Sequence, residues 1–299
     1  MKSKLSPVVL FVYARPEHTQ KTIAALQLNP EAIETDLIIY SDAPKNDSDR
    51  TYVGKVRSII RHIDGFKSVK VISREENLGL AENIIDGVSK ITKIYGRVIV
   101  LEDDIVTSTS FLKFMNNSLT KYENTKEVWH VSGWNYPLKV SDTMDAYLWR
   151  GMNCWGWATW QDRWDKFDKD PERLLRTWDK RKIRRFNIDG TYNFWSQVIN
   201  NRNKKINTWA VFWYASIFEN QGLCLNPVRT YTTNIGLDGS GENCGVNDII
   251  SLELNTSIEV NFPKNIKENE VIVDRVKSFL KRNKASFFKR VIYKLRYLK

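Results

Sequence analysis

Cysteine and histidine are scarce in this 299-residue chain, which contains three of each. None of the cysteines forms a CxxC pair, and both residue types are scattered along the chain (Cys154, Cys224, Cys244, His18, His62 and His130). This spacing excludes a disulfide scaffold and argues against a zinc site built from cysteine and histidine. It is typical of a protein that works in a reducing compartment.

Long hydrophobic runs are also missing, and no stretch approaches the 18 apolar residues of a membrane-spanning helix. The apolar segment near the N-terminus covers only Val8 to Ala14 and lacks a small-residue cleavage pattern. We therefore expect neither a transmembrane helix nor a signal peptide, and we expect this segment to be a buried first strand.

Acidic residues are scarce at the C-terminal end, which carries most of the net charge of +11. Residues 271–299 contain ten Lys or Arg and one Asp, whereas the other 270 residues carry 36 basic and 34 acidic side chains. A general nucleic-acid-binding protein should spread positive charge over a folded face. The distribution therefore predicts no specific nucleic-acid partner.

Short apolar runs alternate with helical patterns in the first hundred residues. Strands are predicted at Val8–Tyr13, Asp36–Tyr40, Val69–Ser73 and Arg97–Leu101, and helices at Glu17–Leu28, Asp49–Ile63 and Leu80–Tyr95. Nearly continuous apolar strands separated by helices indicate a parallel sheet covered on both faces. Residues 1–105 are therefore predicted to form a doubly wound, Rossmann-like α/β unit that binds a nucleotide.

The second half, residues 106–270, is less regular and rich in aromatic residues, which predicts a mixed α+β region. We expect two or three of its indoles to face a ligand cleft and the others to pack in the core; the four candidates are Trp134, Trp155, Trp157 and Trp213. The segment 234–245 holds four glycines and is predicted to be a mobile lid loop. Residues 271–299 are predicted to form a separate basic amphipathic helix.

The strongest motif runs from Arg97 to Asp104, where five strand residues end in the acidic triplet Glu102, Asp103 and Asp104. Ligands of open α/β sheets bind outside the carboxyl ends of the strands. Three adjacent carboxylates repel one another unless a cation compensates them. A hard divalent cation with oxygen ligands, Mn²⁺ or Mg²⁺, would do so and would bridge to a diphosphate. The alternative is a solvated acidic turn after a strand.

Further polar residues follow the other predicted strands. Arg15 could meet a phosphate or a base carbonyl, and Asp42 could accept a hydrogen bond from a uracil or a ribose. Asn77 could cap the next helix or contact the nucleotide, and Gly79 would let the backbone approach a ligand closely. Each also fits an ordinary strand–loop–helix connection, so their convergence at one edge is what favours a site.

Several motifs resemble those of GT-A glycosyltransferases: Val-Tyr-Ala-Arg-Pro at 12–16, Asn-Leu-Gly-Leu-Ala-Glu-Asn at 77–83 and Val-Leu-Glu-Asp-Asp at 100–104. With Val-Ser-Gly-Trp-Asn at 131–135 and Gly156-Trp157, the order along the chain resembles the Golgi α-mannoside β-1,2-N-acetylglucosaminyltransferase family and its bacterial relatives in surface-polysaccharide synthesis. The resemblance implies a GT-A fold, inversion of configuration, Mn²⁺ and a UDP-sugar donor. It makes Asp104 the metal ligand and Asp103 a contact to the donor sugar or ribose, with Glu102 in support.

The general base of that family departs from the pattern here. The family's aspartate lies in a Trp-Asp-Asp-Trp context, and the nearest match, Trp209 to Trp213, contains no acid. Asp162 and Glu219 are the candidate substitutes, with Asp162 preferred, because an inverting transfer needs a carboxylate to accept the acceptor proton. A surface acid paired with Arg163 or Lys166 is the alternative for Asp162.

Two rival functions remain. A nucleotide-sugar pyrophosphorylase would need a glycine-rich phosphate loop after the first strand, which Ala14-Arg15-Pro16 does not supply. A catalytically silent glycan-binding or assembly protein with a GT-A core is favoured by the missing aspartate. The preferred prediction is a glycosyltransferase that moves a hexosyl or N-acetylhexosaminyl group from a nucleotide sugar to a glycan or lipid-linked acceptor.

The basic tail interleaves aromatic and aliphatic residues with its Lys and Arg residues. Each basic residue near an anionic leaflet contributes about 1 kcal/mol, so half of them would give reversible attachment. The sequence therefore predicts a peripheral protein at the inner face of a bacterial plasma membrane, where a lipid-linked acceptor would be met. A solvated basic helix or a tail that adheres to RNA is the alternative.

Overall fold

The computed structural model describes residues 5–138, 140, 144–238 and 253–297, and side chains as far as residue 283. The strands of the first half are β1 (Val8–Val12), β2 (Asp36–Ser41), β3 (Ser68–Ser73) and β4 (Arg97–Glu102). Its helices are α1 (Pro16–Gln27), α2 (Asp47–Ile60) and α3 (Gly79–Tyr95), with a 3-10 turn at Pro30–Glu34. Every strand and helix predicted in this half is present, with ends that shift by three residues or fewer.

The second half continues with strands that are shorter on average. They are β5 (Ile105–Thr107), β6 (Val128–Ser132), β7 (Ala146–Trp149), β8 (Trp157–Trp160), β9 (Leu223–Pro227) and β10 (Thr232–Asn234). The helices are α4 (Phe111–Tyr122), α5 (Gln161–Trp164), α6 (Pro171–Thr177), α7 (Lys180–Phe186), α8 (Trp195–Arg202), α9 (Ala210–Glu219) and α10 (Glu270–Tyr297), with a 3-10 turn at Gly236–Asp238.

Eight strands form one sheet in the order β3-β2-β1-β4-β8-β6-β9-β7. The first four of that order are mutually parallel, and β8 is inserted antiparallel between β4 and β6. β9 runs parallel to β6, and β7 closes the sheet antiparallel to β9. Six strands therefore end at one edge of the sheet, while β7 and β8 begin there. The fold-class prediction, a mostly parallel α/β sheet flanked by helices, is confirmed.

Side-chain alternation along the strands divides the core into two layers. Val8, Leu10 and Val12 of β1 pack with α1, α2 and α4 on one face. Val9 and Phe11 point to the other face, against α3 and the helices of the second half. Because both layers include residues from before and after position 105, the two halves share a continuous core.

Most of the indoles are part of this core. Trp157 and Trp213 are fully buried, with 0% exposure, and Trp157 stacks on Trp209 at a centroid distance of 5.1 Å. Burial of such rings in mutual contact stabilises the layer below β8 and β6 through their large apolar area. Of the four indoles predicted as cleft candidates, these two have no surface to offer a ligand.

The last helix crosses the sheet edge formed by β7. Asn269 donates its backbone N–H to Leu148 (2.8 Å) and caps the helix by accepting a hydrogen bond from the N–H of Ile272 (3.1 Å). Three turns later the ring of Phe279 lies 5.5 Å from that of Tyr136, which follows β6. The helix therefore runs toward the edge at which the parallel strands end. Among the described residues, no helix combines the length and apolar character needed to cross a bilayer.

Candidate active site

The carboxyl edge of the sheet brings together segments that are far apart in the chain. We use this name for the edge where β1, β2, β4 and β6 end, formed by Tyr13–Arg15, Asp42–Ala43, Glu102–Asp104 and Ser132–Asn135. The parallel register places them side by side: Val12 pairs with Ser41 on one neighbouring strand, and Phe11 pairs with Glu102 on the other. The predicted convergence of strand ends is therefore present.

Arg15 lies directly against the acidic triplet. Its Nη2 forms a short ion pair with Asp103, and its Nη1 lies 3.0 Å from Asp104 Oδ2. Asp103 is held further by the backbone N–H of Tyr13 (3.2 Å), and Thr22 donates its hydroxyl to the Asp103 carbonyl (2.9 Å). One guanidinium thus offsets part of the repulsion among three carboxyl groups.

Two buried polar atoms at this point have no hydrogen-bond partner. They are Asp104 Oδ1 and Arg15 Nη1, of which Arg15 Nη1 also lies within ion-pair distance, 3.0 Å, of Asp104 Oδ2. Burying a charged acceptor and a charged donor without satisfying them costs free energy. A cation beside the carboxylate and an anion beside the guanidinium would satisfy both atoms at once.

The electrostatics of the triplet show the same crowding. Desolvation raises the pKa of Glu102 to about 8, and repulsion from Asp104 and Asp103 acts in the same direction, while Arg15 lowers it. Burial also raises the pKa of Asp103, against the opposing effect of Arg15. A cation bound beside these groups would favour their ionised forms and lower both pKa values again, so the crowding is that of a site suited to a cationic ligand.

Whether these residues fit a divalent cation depends on the donor set. Within the described ranges, no three His, Cys, Asp or Glu side chains are placed to hold a metal ion together. Mg²⁺ and similar ions bound with nucleotides use one or two carboxylates, and substrate phosphates and water complete their coordination. Asp104, with one buried unpartnered oxygen, fits this second arrangement.

Gly236 lies directly against Asp104 and Arg15. The segment is tied down because Ile235 donates its backbone N–H to the Asp104 carbonyl (2.9 Å) and Asn234 accepts from the N–H of Gly236 (2.7 Å). A Cβ at Gly236 would lie 2.3 Å from Asp104 Oδ2 and 2.8 Å from Arg15 Nη1. Only glycine allows the chain to pass so close to the carboxylate.

The segment 234–245 was predicted to be a lid, and only residues 234–238 of it are among the described residues. Within that part, Asp238 Oδ2 lies 3.1 Å from His18 Nε2 on α1. The start of the predicted lid therefore contacts the same helix that follows Arg15. Sequence reasoning identified the glycine-rich segment but did not single out Gly236 or His18.

Asp42 is a structural centre of the neighbouring loop. Its Oδ1 accepts from the backbone N–H groups of Ala43 (2.9 Å) and Leu78 (3.0 Å), and its Oδ2 accepts from that of Gly79 (2.9 Å) and from Asn77 Nδ2 (3.3 Å). A carboxylate has about four acceptor positions, so the chain itself occupies all of those on Asp42. Asp42 thereby caps α3 from a distant strand.

Asn77 and Gly79 serve the same connection. Asn77 also donates to the Ala43 carbonyl (2.6 Å), and α3 has no capping side chain of its own at Leu78. Gly79 begins α3 with a φ of +74°, a conformation that glycine adopts without strain. The two residues lie at the carboxyl edge as predicted, and their observed contacts brace the loop.

Two residues that the sequence did not single out also hold the loops around Asp42 in place. Tyr13 donates its hydroxyl to Asp49 (2.8 Å) and accepts from the N–H of Lys45 (2.9 Å), which ties β1 to the start of α2. Arg57 donates to the carbonyls of Asp42 (3.3 Å) and Arg74 (2.8 Å). Nothing in the sequence pattern marks Arg57, because its partners are backbone atoms of other loops.

Aromatic side chains border the edge on the β6 side. Trp134 contacts Trp155 at a centroid distance of 4.7 Å and Tyr136 at 4.8 Å, each in an edge-to-face arrangement. Thr232 of β10 donates its hydroxyl to the Trp155 carbonyl (2.7 Å), and β10 pairs with β5, which follows the triplet. These aromatic residues are therefore close in the fold to the acids, unlike Trp157 and Trp213.

Asp162 lies at the opposite edge, which we call the amino edge. β8 runs antiparallel to β4 and pairs Trp160 with Arg97, so the residue two positions after Trp160 lies beside the start of β4. Its carboxylate pairs with Lys126 (2.6 Å) and Arg163 (2.7 Å). Desolvation raises the pKa of Asp162, but these hydrogen bonds outweigh it and lower the pKa. The structure does not bring Asp162 to the triplet.

Glu219 also belongs to the amino edge, because it ends α9 just before β9 begins at Leu223. It accepts hydrogen bonds from Arg173 (2.7 and 3.2 Å), Trp178 (2.7 Å) and Lys182 (3.1 Å). Although desolvation raises it, these hydrogen bonds bring the pKa of Glu219 down to about 2. Both candidate bases are therefore engaged in ion pairs at the amino edge, opposite the edge that carries the acidic triplet.

Comparison with known proteins gives no family assignment: no protein-family model matches the chain, and no curated protein is significantly similar. Solved structures that match part of the chain include Staphylococcus aureus TarS (13% identity, 48% of this chain and 25% of that chain, TM-score 0.31) and its fragment 1–349 (9%, 78% and 61%, TM-score 0.41). Another is the mannosyltransferase PcManGT from Pyrobaculum calidifontis in complex with GDP-Man and Mn²⁺ (11%, 73% and 70%, TM-score 0.39). The chain matches a quarter of the length of TarS.

Proposed function

We propose that the protein is a metal-dependent glycosyltransferase that moves a sugar from a nucleotide sugar, UDP-linked, to a glycan or a lipid-linked oligosaccharide. One observation carries the proposal: a buried carboxylate oxygen of Asp104 without a hydrogen-bond partner lies beside the guanidinium group of Arg15 at the carboxyl edge. This pair of groups is complementary to a cation–diphosphate unit. Ligands of open α/β sheets bind at this edge.

In the proposed complex, Asp104 holds Mn²⁺ or Mg²⁺ through its free oxygen. Such a cation supplies charge stabilisation for a diphosphate leaving group. Asp103, already oriented by Arg15 and the N–H of Tyr13, would contact the donor sugar or ribose, and Glu102 would support them from behind. Arg15 would meet a phosphate oxygen, for which a guanidinium has suitable geometry.

The residues around Asp42 hold the neighbouring loops in position beside the proposed donor site. Because the acceptor positions of Asp42 are filled by Leu78, Gly79 and Asn77, we assign it the task of fixing the β2 and α3 loops beside the nucleotide. Trp134 and Trp155 border the acceptor side, where indole faces suit sugar rings.

A second candidate is a catalytically silent glycan-binding protein with the same core. It is favoured by the position of Asp162 and Glu219, since neither can take a proton from an acceptor bound at the carboxyl edge. An inverting transfer requires a base at that edge. The two candidates differ in one measurable property, metal-dependent turnover.

The test measures release of the nucleoside diphosphate with Mn²⁺ across a panel of UDP- and GDP-sugars. Asp104→Asn removes the free charged oxygen with little change in shape, and Asp162→Asn is the matched control at the amino edge. We expect Asp104→Asn to lower turnover at least a hundredfold and Asp162→Asn to leave it within about twofold. Absence of metal-dependent release with every donor would establish the silent alternative.

We further propose that α10 attaches the protein to an anionic membrane with the carboxyl edge facing the lipid. Its first turn contacts Leu148 and its third turn contacts Tyr136, so the helix points toward that edge. Residues 284–299 add six Lys or Arg and no acid. A lipid-linked acceptor would then meet the donor site directly.

Vesicle co-sedimentation tests the attachment. We expect binding to phosphatidylglycerol vesicles that falls with salt, and little binding to phosphatidylcholine. Replacing the six basic residues of 284–299 with glutamine should abolish it, whereas Asp104→Asn should not. Equal binding to both lipids would refute the electrostatic attachment.

A further inference from the structure

A charged cavity lies at the amino edge of the sheet, which is the edge opposite the one that carries the acidic triplet. Its volume is about 630 Å³, within the range of ligand pockets. The walls come from the end of β7, from α7, from the α9–β9 connection and from the residue Glu268 before α10. Four basic and three acidic side chains line it: Arg150, Arg181, Lys182, Arg185, Asp179, Glu219 and Glu268.

Two of the three carboxylates of this cavity are paired with cations of the protein. Glu219 accepts four hydrogen bonds from neighbouring cations and an indole. Glu268 accepts from the backbone N–H of Arg150 (3.0 Å) and from its Nη1 (2.5 Å). Asp179 caps α7 by accepting from the N–H of Lys182 (2.7 Å) and is otherwise exposed to solvent. Glu219 and Glu268 are therefore not available to pair with Arg181 and Arg185.

Two of the guanidinium groups have no such partner. Arg181 and Arg185 are one turn apart on α7 and both line the cavity. Neither forms a hydrogen bond or ion pair with any described residue. The other charged residues of the same helix, Arg184 and the neighbouring lysines, are also basic. Both side chains are exposed to solvent, so they form an accessible, positively charged border of the cavity that has no acidic partner among the described residues.

Arg150 provides an independent observation. It is only 9% exposed, and its Nη1 and Nη2 are bound by Glu268 and Asp189 (2.8 Å). Its Nε is buried and has no acceptor. A buried charged donor without a partner is costly, so the wall of the cavity contains an unsatisfied positive group.

We propose that this cavity binds a phosphate group. Arg181 and Arg185 take its oxygens, and Arg150 forms the buried wall behind them. A phosphate monoester carries a charge of about −1.5 to −2 at neutral pH, which matches the two guanidinium groups that have no acidic partner. Planar guanidinium forks suit phosphate oxygens better than single ammonium groups do. The phosphate belongs either to a soluble phosphorylated ligand or to a lipid headgroup.

Calorimetric titration with inorganic phosphate in the presence of EDTA tests the site directly. The variant Arg181→Gln/Arg185→Gln should weaken phosphate binding at least tenfold. The matched control Arg176→Gln/Arg184→Gln removes the same charge from exposed positions outside the cavity lining and should change affinity by less than twofold. Equal weakening in both double variants, or no saturable binding to the wild type, would overturn the proposal.

The two possible sources of phosphate are separated by a vesicle arm. To exclude attachment through α10, the six basic residues of 284–299 are replaced with glutamine in every protein of this arm. If the cavity variant then loses binding to vesicles of phosphatidic acid, a phosphate monoester, while the control variant does not, the ligand is a headgroup. If only inorganic phosphate binding is lost, the ligand is soluble. Asp104→Asn should keep full affinity for phosphate, so the cavity can be established whether or not the chain transfers sugar.

Discussion

Replacing Gly236 with alanine tests whether the carboxyl edge binds a donor. Gly236 does not have a positive φ, so replacing it with alanine adds a steric contact and does not strain the backbone. The new Cβ would lie 2.3 Å from Asp104 Oδ2 and 3.0 Å from Asp104 Cβ. Asp104 is only 6% exposed, so its short side chain has little room to move away.

The size of the effect follows from these distances. To reach a contact of 3.0 Å, the lower limit of real Cβ contacts, the carboxylate and the covering segment must separate by about 0.7 Å. Overpacking of this kind costs about 1–3 kcal/mol, and a displacement near 1 Å in a site can lower rate about a hundredfold. We expect a tenfold to hundredfold loss in affinity for UDP with Mn²⁺.

The assay is calorimetric titration of UDP and Mn²⁺, with thermal unfolding measured in parallel. Gly54→Ala is the matched control, because Gly54 lies in α2 and a Cβ there meets no heavy atom within 4 Å. That change should raise stability by roughly 0.5–1 kcal/mol and leave UDP binding unchanged.

Two results would refute the reasoning. If Gly236→Ala binds UDP and Mn²⁺ as tightly as the wild type, Asp104 does not hold the cation where we place it. If Gly54→Ala weakens binding equally, the effect is a general one on the fold. A loss confined to Gly236→Ala supports the site.

Three further predictions concern stability, measured by urea denaturation. Asp42→Ala should lower the free energy of unfolding by about 2 kcal/mol, because it removes the cap of α3, and no change would contradict that role. Burial lowers the pKa of His130 from 6.5 to about 4, so the folded state binds fewer protons. At 1.36 kcal/mol per pKa unit, stability should fall by roughly 3 kcal/mol between pH 6.5 and 4, less so in His130→Gln. The pKa of Glu219 drops from 4.5 to about 2, so its contribution, at most about 3 kcal/mol, is present above pH 4.5 and lost toward pH 2. Glu219→Gln should flatten the profile in that lower range.

The sequence was sufficient to predict the β–α alternation of residues 1–105, because each strand there is a short apolar run bounded by polar turns. β1 pairs in parallel with β2 on one side and with β4 on the other, and β2 pairs in parallel with β3, as a doubly wound pattern requires. The triplet was located correctly at the carboxyl edge for the same reason. Local pattern and topology agree in this half.

Long-range pairing explains what the sequence did not reveal. Asp162 follows an aromatic segment that begins near the acids, but β8 runs antiparallel to β4 and carries the chain to the amino edge before Asp162 is reached. The direction of β8 depends on its partners β4 and β6, and no local pattern encodes that direction. Gly236 was missed for a similar reason, since its contact with Asp104 joins residues more than a hundred positions apart.

The arrangement of charge on the two edges has a common physical basis. At the carboxyl edge, Arg15 supplies one positive charge against three carboxyl groups, and a buried oxygen of Asp104 has no hydrogen-bond partner. At the amino edge, Glu219 and Glu268 pair with cations of the protein, and the exposed guanidinium groups of Arg181 and Arg185 have no partner among the described residues. Buried or crowded charges that a fold leaves uncompensated reduce its stability, and bound ligands can return that free energy. Because the two imbalances have opposite sign and lie on opposite edges of one sheet, they favour ligands of different charge: a cation with its diphosphate at the first edge and an anion alone at the second.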